Sequence, residues 1–173
     1  MNDLVVGMGE ALWDVLPEGK KIGGAPANFA YHVSQFGLPS CVVSAVGDDD
    51  LGREIIENFT AKGLKQLIAD VPYPTGTVQV EIDQSGVPQY EIKENVAWDN
   101  IPYTERREAL AERTTADCFG SLAHRNVVSR NTINRFLDVV SRNEENLIVF
   151  DVNLRQGFYN KEIHCNSMKR SNI

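Results

Sequence analysis

The sequence predicts an α/β fold in which a mostly parallel sheet is flanked by helices. Short, continuous apolar runs occur at 4–9, 41–47 and 147–150, and such runs are typical of parallel strands that are buried on both faces. Segments with helical apolar spacing lie between them. Strand and helix therefore alternate along the chain, as they do in proteins built on a parallel sheet.

The amino-acid composition indicates the number of domains and excludes some classes of partner. The 173 residues are 42% hydrophobic and 24% charged, so one globular domain is expected. The formal net charge of −7, without a Lys/Arg cluster, argues against nucleic-acid and anionic-membrane partners. No apolar run is long enough to span a bilayer. Three unclustered cysteines indicate reduced thiols, so we expect a cytoplasmic location and no metal site.

The first predicted strand, at 4–9, leads into Gly-Glu-x-Leu-x-Asp at 9–14. Asp14 follows the point where the strand delivers the chain to the carboxyl edge of the sheet. Ligands bind at that edge in open α/β sheets. From its position alone, an ordinary solvated loop acid is the favoured interpretation of Asp14.

Residues 23–30, Gly-Gly-Ala-Pro-Ala-Asn-Phe-Ala, predict a glycine turn that leads into a helix. Pro26 suits the first helical position, which needs no N–H partner. Phe29, Val33 and Phe36 have the spacing of an apolar helical stripe. The helix is expected to end before residues 37–39, Gly-Leu-Pro.

The same stretch is a candidate binding site. Gly23 and Gly24 carry no Cβ, so a ligand could approach the backbone closely there. Asn28 offers a hydrogen-bond donor and an acceptor from the first turn of the helix. A tight turn before an ordinary amphipathic helix is the alternative interpretation.

Three consecutive acids follow the second predicted strand, at 48–50. Acids stabilise a helix N-terminus and can cap it, and calcium loops need a longer ligand set. We therefore interpret this segment as the start of a helix and assign no site to it.

Between residues 77 and 94, alternating polar and apolar residues replace the continuous apolar runs and the helical spacing. Residues 77–83 and 87–94 alternate in polarity around a Gln-Ser-Gly turn at 84–86, which predicts a β-hairpin. Tyr90 and Ile92 lie on one face of its second strand, and Glu91 and Lys93 lie on the other. A purely structural hairpin is the default interpretation.

Later segments continue the alternation. A helix capped by Thr104 is followed by a strand at 117–122 and an amphipathic helix at 129–140. The last predicted strand leads into Asp-Val-Asn-Leu-Arg at 151–155. If extended, this segment places Asp151, Asn153 and Arg155 on one face. Spacing alone does not distinguish a binding site from a solvated strand exit.

Together these motifs resemble a known family. Gly-Gly-x-Pro-x-Asn-x-Ala resembles the first signature of the ribokinase/PfkB sugar kinases, in its fructokinase-like form. The 9–14 and 151–155 segments resemble two further landmarks of that form. The resemblance covers residues 1–160 and implies a ribokinase-like fold with a small β lid, formed by segments at approximately 10–23 and 75–98. In the family, the lid covers the sugar and is often a contact between the two subunits of a homodimer.

The resemblance also implies roles for residues and an activity. The residues that would hold sugar hydroxyls are Asp14, Gly23, Gly24 and Asn28. Arg155 would reach the sugar or the transferred phosphoryl group, and Asn153 would lie near the nucleotide phosphates. The implied reaction transfers the γ-phosphoryl of ATP, with Mg²⁺, to a sugar hydroxyl. Fructose is the suggested sugar, but 2-keto-3-deoxygluconate and ribosides remain open.

One family landmark does not occur in the sequence. The second signature, Gly-Ala-Gly-Asp, supplies an anion hole and the catalytic base in the family, and neither it nor a Gly-x-x-x-x-Gly-Lys-Ser/Thr loop is present. We therefore expect residues 1–173 to be the N-terminal part of a kinase without the nucleotide-binding part. We assign no catalytic residue and expect no turnover by this chain alone.

Two other functions are weighed against the kinase interpretation. A non-catalytic sugar-binding or dimerising module could be built on the same half-fold. A dinucleotide-dependent dehydrogenase is disfavoured, because the Gly-x-Gly at 7–9 lacks the third glycine of Gly-x-Gly-x-x-Gly, and residue 12 is leucine.

Overall fold

The computed structural model describes residues 4–82, 88–155, 157–158 and 160–173. Nine strands and five helices occur in the described residues, in the order β1 Leu4–Met8, β2 Leu12–Leu16, β3 Gly19–Gly23, α1 Ala25–Gln35, β4 Ser40–Gly47, α2 Asp50–Ala61, β5 Lys65–Val71, β6 Thr77–Ile82, β7 Pro88–Ile92, α3 Glu105–Ala111, β8 Thr114–Gly120, α4 Val127–Val140, β9 Leu147–Asp151 and α5 Lys161–Arg170. Short 3₁₀ turns lie at Ala97–Asn100 and Leu122–His124.

The main sheet has five strands in the order β5-β4-β1-β8-β9. Each neighbouring pair is parallel. Helices α1 and α2 pack on one face of this sheet, where Ala27, Ile55 and Phe59 are buried. Helix α4 packs on the other face through Ile133 and Phe136. The predicted α/β fold with a parallel sheet flanked by helices is confirmed.

A second sheet of four strands, the small sheet, has the order β3-β2-β6-β7. Strands β2 and β3 are antiparallel, as are β6 and β7, and β2 pairs with β6 in parallel. The predicted hairpin strands are therefore present, while their turn at 84–86 lies outside the described residues. Strand β6 of this hairpin pairs with β2. Strands β2 and β3 precede α1 in the chain, whereas β6 and β7 follow β5, so two segments that are distant in the sequence form one sheet.

Helix α1 buries a different face from the predicted one. The predicted stripe is wrong, because Phe36 is 85% exposed and Phe29 and Val33 are only half-buried. The side chains that α1 buries are compact: Pro26, Ala27 and Ala30. A Cβ on Gly7 of β1 would overlap the Pro26 carbonyl oxygen. Helix and strand therefore approach too closely for large side chains. The helix begins at Ala25, so Pro26 occupies its second position, where the N–H is also not needed.

Helix α2 begins as predicted, with an acid as its cap. Asp49 Oδ1 accepts a hydrogen bond from the Gly52 amide at 2.8 Å, and Oδ2 accepts one from the Thr75 amide at 2.8 Å. Burial raises the pKa of Asp49, but the hydrogen bonds from Thr75 and Gly52 outweigh it and leave the pKa below its ordinary value. The cap thus also ties α2 to the chain that enters β6.

The sequence analysis identified neither β5 nor α5. Strand β5 lies at the edge of the main sheet, where its side chains are mostly half-buried, so it lacks a continuous apolar run. Helix α5 buries only Ile163 and Ser167, and one apolar contact in ten residues gives no helical stripe. No helix in the described segments is long and apolar enough to cross a bilayer.

Candidate functional site

A cleft of about 290 Å³ lies between the carboxyl edge of the main sheet and the small sheet. Its polar side chains come from both layers: Glu10, Asp14, Asn28, Tyr90, Asn153 and Arg155. The backbone of Gly24 and Ala25 forms part of its wall, and its apolar lining consists of Leu12, Val78, Ile92 and Leu122. Such a mixture of a few convergent polar groups with apolar walls is typical of a small-molecule site.

The structure brings together five of the six residues that the sequence analysis selected. Asp14, Gly24, Asn28, Asn153 and Arg155 all line the cleft. The sixth, Gly23, is buried next to it. The selection rested on family resemblance, and the geometry shows that the chosen positions form one connected surface.

Asp14 enters the cleft from the middle of β2, where it is paired with Lys21 of β3 and Val78 of β6. The side chain is half-buried. Burial raises the pKa of Asp14 above its ordinary value, and the positive charge of Arg155 opposes the rise. An anionic acceptor and a cationic donor therefore face the same small volume.

The paired glycines make room for protein atoms around the cleft. A Cβ on Gly23 would overlap Asp14 Oδ2, and a Cβ on Gly24 would overlap the carbonyl oxygen of Glu10. Gly24 also has a φ of 107°, which side-chain-bearing residues rarely adopt. Gly23 thus leaves space for the Asp14 carboxylate, and Gly24 forms the sharp corner from which α1 begins.

Asn28 lies on the first turn of α1, and its backbone amide donates to the Gly24 carbonyl at 2.9 Å. The side chain is exposed and lines the cleft. Its amide therefore remains accessible to a ligand from the side of the glycine corner.

The chain after β9 supplies two further polar side chains of the cleft, Asn153 and Arg155. Asn153 is fixed by two contacts: its carbonyl accepts from Ser121 Oγ at 2.7 Å, and its amide donates to Asp151 Oδ1 at 3.2 Å. Arg155 Nε donates to Asn153 Oδ1 at 2.8 Å, and the Arg155 guanidinium lies 5.7 Å from the centre of the Tyr90 ring. The strand itself ends at Asp151, so hydrogen bonds between side chains, rather than extended pairing, align Asn153 with Arg155.

A buried ion pair anchors the small sheet beside the cleft. Arg125 Nε donates to Asp99 Oδ1 at 2.7 Å, and Arg125 Nη2 donates to the Lys93 carbonyl, just after β7, at 2.6 Å. The guanidinium also lies 4.1 Å from the Trp98 ring centre and 4.5 Å from that of Phe158. Arg125 therefore connects the end of β7 with the loop that follows Arg155.

Glu10 is a charged residue of the cleft that the sequence analysis did not select. It is 2% exposed, and its Oε1 accepts from the Ala25 amide at 3.3 Å. Burial raises its pKa to about 7. The Gly-Glu-x-Leu-x-Asp motif contains Glu10, but nothing in the sequence shows that the side chain turns inward beneath the glycine corner.

The described residues fit a hydroxyl-rich ligand better than a metal ion. Within the described ranges, no three His, Cys, Asp or Glu side chains lie close enough together to hold a metal. Arg155 can donate two parallel hydrogen bonds to a phosphoryl group, and Asp14 and Asn28 can bond hydroxyls. We therefore assign no metal cluster among the described residues.

Comparison with known proteins finds relatives that are described as sugar kinases. The uncharacterized sugar kinase PH1459 of Pyrococcus horikoshii is 31% identical over 138 residues, which are 79% of this chain and 44% of that protein. A fructokinase of Klebsiella pneumoniae is 37% identical over 98 residues, covering 50% of this chain and 30% of the relative. The chain thus spans less than half the length of these two relatives.

Solved structures show the same fold. PH1459 in complex with ATP has a TM-score of 0.77 at 27% identity, and the match covers 96% of this chain and 58% of that one. The fructokinase of Xylella fastidiosa has a TM-score of 0.85 at 16% identity, with 99% and 58% covered. The family profile described as pfkB family carbohydrate kinase matches residues 17–114, more than half of the sequence. This chain therefore belongs to the pfkB family of carbohydrate kinases.

Proposed function

We propose that the chain forms the sugar-binding part of a fructokinase-like carbohydrate kinase. The observation that carries the proposal is the convergence of Asp14, Asn28 and Arg155 on one cleft from three separate elements: β2, α1 and the segment after β9. Family membership and the fructokinase relatives support it. Residues 1–173 form the N-terminal part of the kinase domain in this proposal.

The cleft offers suitable chemistry for a sugar. The Asp14 carboxylate accepts hydrogen bonds from hydroxyls, and the Asn28 amide can both donate and accept. Ile92 and Leu122 provide apolar surface for the carbon skeleton of the sugar. The small sheet, with segments at approximately 10–23 and 75–98, acts as a lid that excludes water, so that the sugar hydroxyl rather than water attacks the phosphoryl group.

Arg155 and Asn153 form the phosphate-facing end of the cleft in this proposal. The planar guanidinium of Arg155 stays charged and matches the geometry of phosphoryl oxygens. ATP, with Mg²⁺, is the proposed phosphoryl donor, which is supported by the ATP complex of PH1459. A cytoplasmic location is the prediction that accompanies these substrates.

The direct test is calorimetric titration of D-fructose into the chain and into Asp14→Ala. Removing the carboxylate should weaken binding by at least about tenfold, since a hydrogen bond to a charged group contributes about 1.5–3 kcal/mol. Asp48→Ala is the matched control, because the Asp48 side chain is 93% exposed and lies outside the cleft. Equal affinity in wild type and Asp14→Ala would refute the proposal.

The second candidate is a non-catalytic sugar-binding or dimerising module built on the same half-fold. A coupled assay of ADP release separates the two. We expect no turnover by the 173-residue chain, and turnover by a longer form that contains that signature. ADP release by the 173 residues would contradict our expectation about this chain, whereas none from the longer form would favour the module.

We also propose that the small sheet supplies a contact between two copies of the chain. Light scattering after size exclusion should then give twice the chain mass of 19.3 kDa. A monomer at concentrations well above those of the binding experiments would contradict this assembly without affecting the sugar site.

A further inference from the structure

Glu10 lines the cleft and has an unused hydrogen-bonding atom. Its side chain lies beneath the Gly24 corner and is almost fully buried. One oxygen, Oε1, accepts from the Ala25 amide. The other, Oε2, is buried and has no hydrogen-bonding partner within the described ranges. A buried polar atom without a partner is costly, so its presence in the wall of a ligand-sized cleft calls for a function.

We propose that Glu10 contacts the ligand directly, and that its Oε2 accepts a hydrogen bond from a hydroxyl of the bound sugar. This inference rests on the proposed sugar-binding function. Oε1 keeps the corner of Gly24 and Ala25 in place, while Oε2, for which the described residues supply no partner, keeps its acceptor capacity for the ligand. Glu10 would thus add a second carboxylate acceptor to that of Asp14 in the same cleft.

The surroundings of Glu10 make this contact sensitive to pH. Burial raises its pKa to about 7, with the backbone amides of Glu10 and Ala25 opposing the rise. Asp151 at the end of β9 raises the pKa further, and Arg125 in the loop after β8 lowers it. Burial also raises the pKa of the neighbouring Cys118 thiol to about 12, so that thiol stays neutral.

Proton binding to Glu10 and sugar binding are coupled, and this coupling sets the direction in which sugar affinity changes with pH. An ionised carboxylate accepts a hydroxyl hydrogen bond more strongly than a protonated one. A bound sugar that donates to Oε2 therefore lowers the pKa of Glu10 in the complex. Affinity should rise as pH increases through about 7 and then level off, by up to about tenfold for each pKa unit of lowering.

The test is calorimetric titration of D-fructose at several pH values between 5.5 and 8.5. Wild type should bind several-fold more tightly at pH 8 than at pH 6. Glu10→Gln keeps an oxygen for the Ala25 amide but cannot ionise, so its affinity should be lower at pH 8 and independent of pH. Asp14→Asn should bind more weakly at every pH yet keep the slope.

If Glu10→Gln does not fold, an NMR titration of the wild-type protein tests the inference instead. The ¹³C shift of the Glu10 carboxyl should titrate with a lower midpoint in saturating fructose than in its absence. An unchanged midpoint, equal wild-type affinity at pH 6 and pH 8, or a slope that persists in Glu10→Gln would overturn the inference and leave sugar binding intact. Absence of fructose binding at every pH would instead contradict the proposed function, and the inference with it.

Discussion

Gly23 and Asp14 lie on adjacent antiparallel strands, and a methyl group on Gly23 would overlap the Asp14 carboxylate. The glycine therefore sets the position of the acid. This relationship gives a physical reason for a glycine at that point of the motif, because any side chain would push Asp14 from its place in the cleft.

We expect Gly23→Ala to weaken D-fructose binding about as much as Asp14→Ala does. Overpacking at this point should also destabilise the fold by about 1–3 kcal/mol, measurable by chemical unfolding. Gly157→Ala is the matched control, since a Cβ there meets no atom within 4 Å. If Gly23→Ala bound D-fructose as tightly as wild type, the position of the Asp14 carboxylate would not depend on the space that Gly23 leaves.

The ion pair between Arg125 and Asp99 should be strongly coupled in stability. Both side chains are buried, so Arg125→Met leaves an unpaired buried carboxylate and should cost about 3–5 kcal/mol. Arg125→Met combined with Asp99→Leu should cost clearly less than the sum of the single variants, because no uncompensated charge remains. A double-mutant cycle by urea unfolding measures this coupling, and additive costs would contradict it.

Asp117 gives a prediction about pH. It is fully buried in β8 with no hydrogen-bonding partner within the described ranges, and burial raises its pKa well above the ordinary value. The unfolded chain loses this proton above about pH 4 while the folded chain keeps it. Asp117 therefore lowers stability progressively as pH rises from about 4 toward its folded pKa.

Asp117→Asn removes this titration. Its stability relative to wild type should improve between pH 4.5 and pH 8, because only the wild type loses stability as the unfolded chain releases this proton. Thermal unfolding at the two pH values measures the difference, with the exposed Asp48→Asn as control. The same difference from wild type at both pH values would mean that Asp117 ionises normally in the fold.

The sequence analysis predicted the main features of the fold because buried parallel strands and an alternating hairpin leave clear patterns. The motifs also selected Asp14, Asn28 and Arg155, which the fold brings to one cleft. Glu10 was not selected, because the burial that makes it unusual depends on the position of α1. Similarly, the pairing of Arg125 with Asp99 joins residues 26 positions apart and leaves no local pattern.

The errors have specific physical causes. Apolar spacing in α1 indicated a face that the structure leaves largely exposed, as Phe36 shows. Close contact with β1 selects alanines instead, and a hydrophobicity pattern does not detect such contacts. Helix α5 was missed because it buries only Ile163 and Ser167.

The central claim is that Asp14 and Asn28 hold one sugar molecule beneath the small sheet. A crystal structure of the chain with D-fructose, at a concentration that saturates binding in calorimetry, tests this most directly. We predict that sugar hydroxyls lie within hydrogen-bonding distance of both side chains, with Tyr90 covering the ligand. A sugar bound elsewhere, or a cleft that stays empty at saturation, would contradict the account.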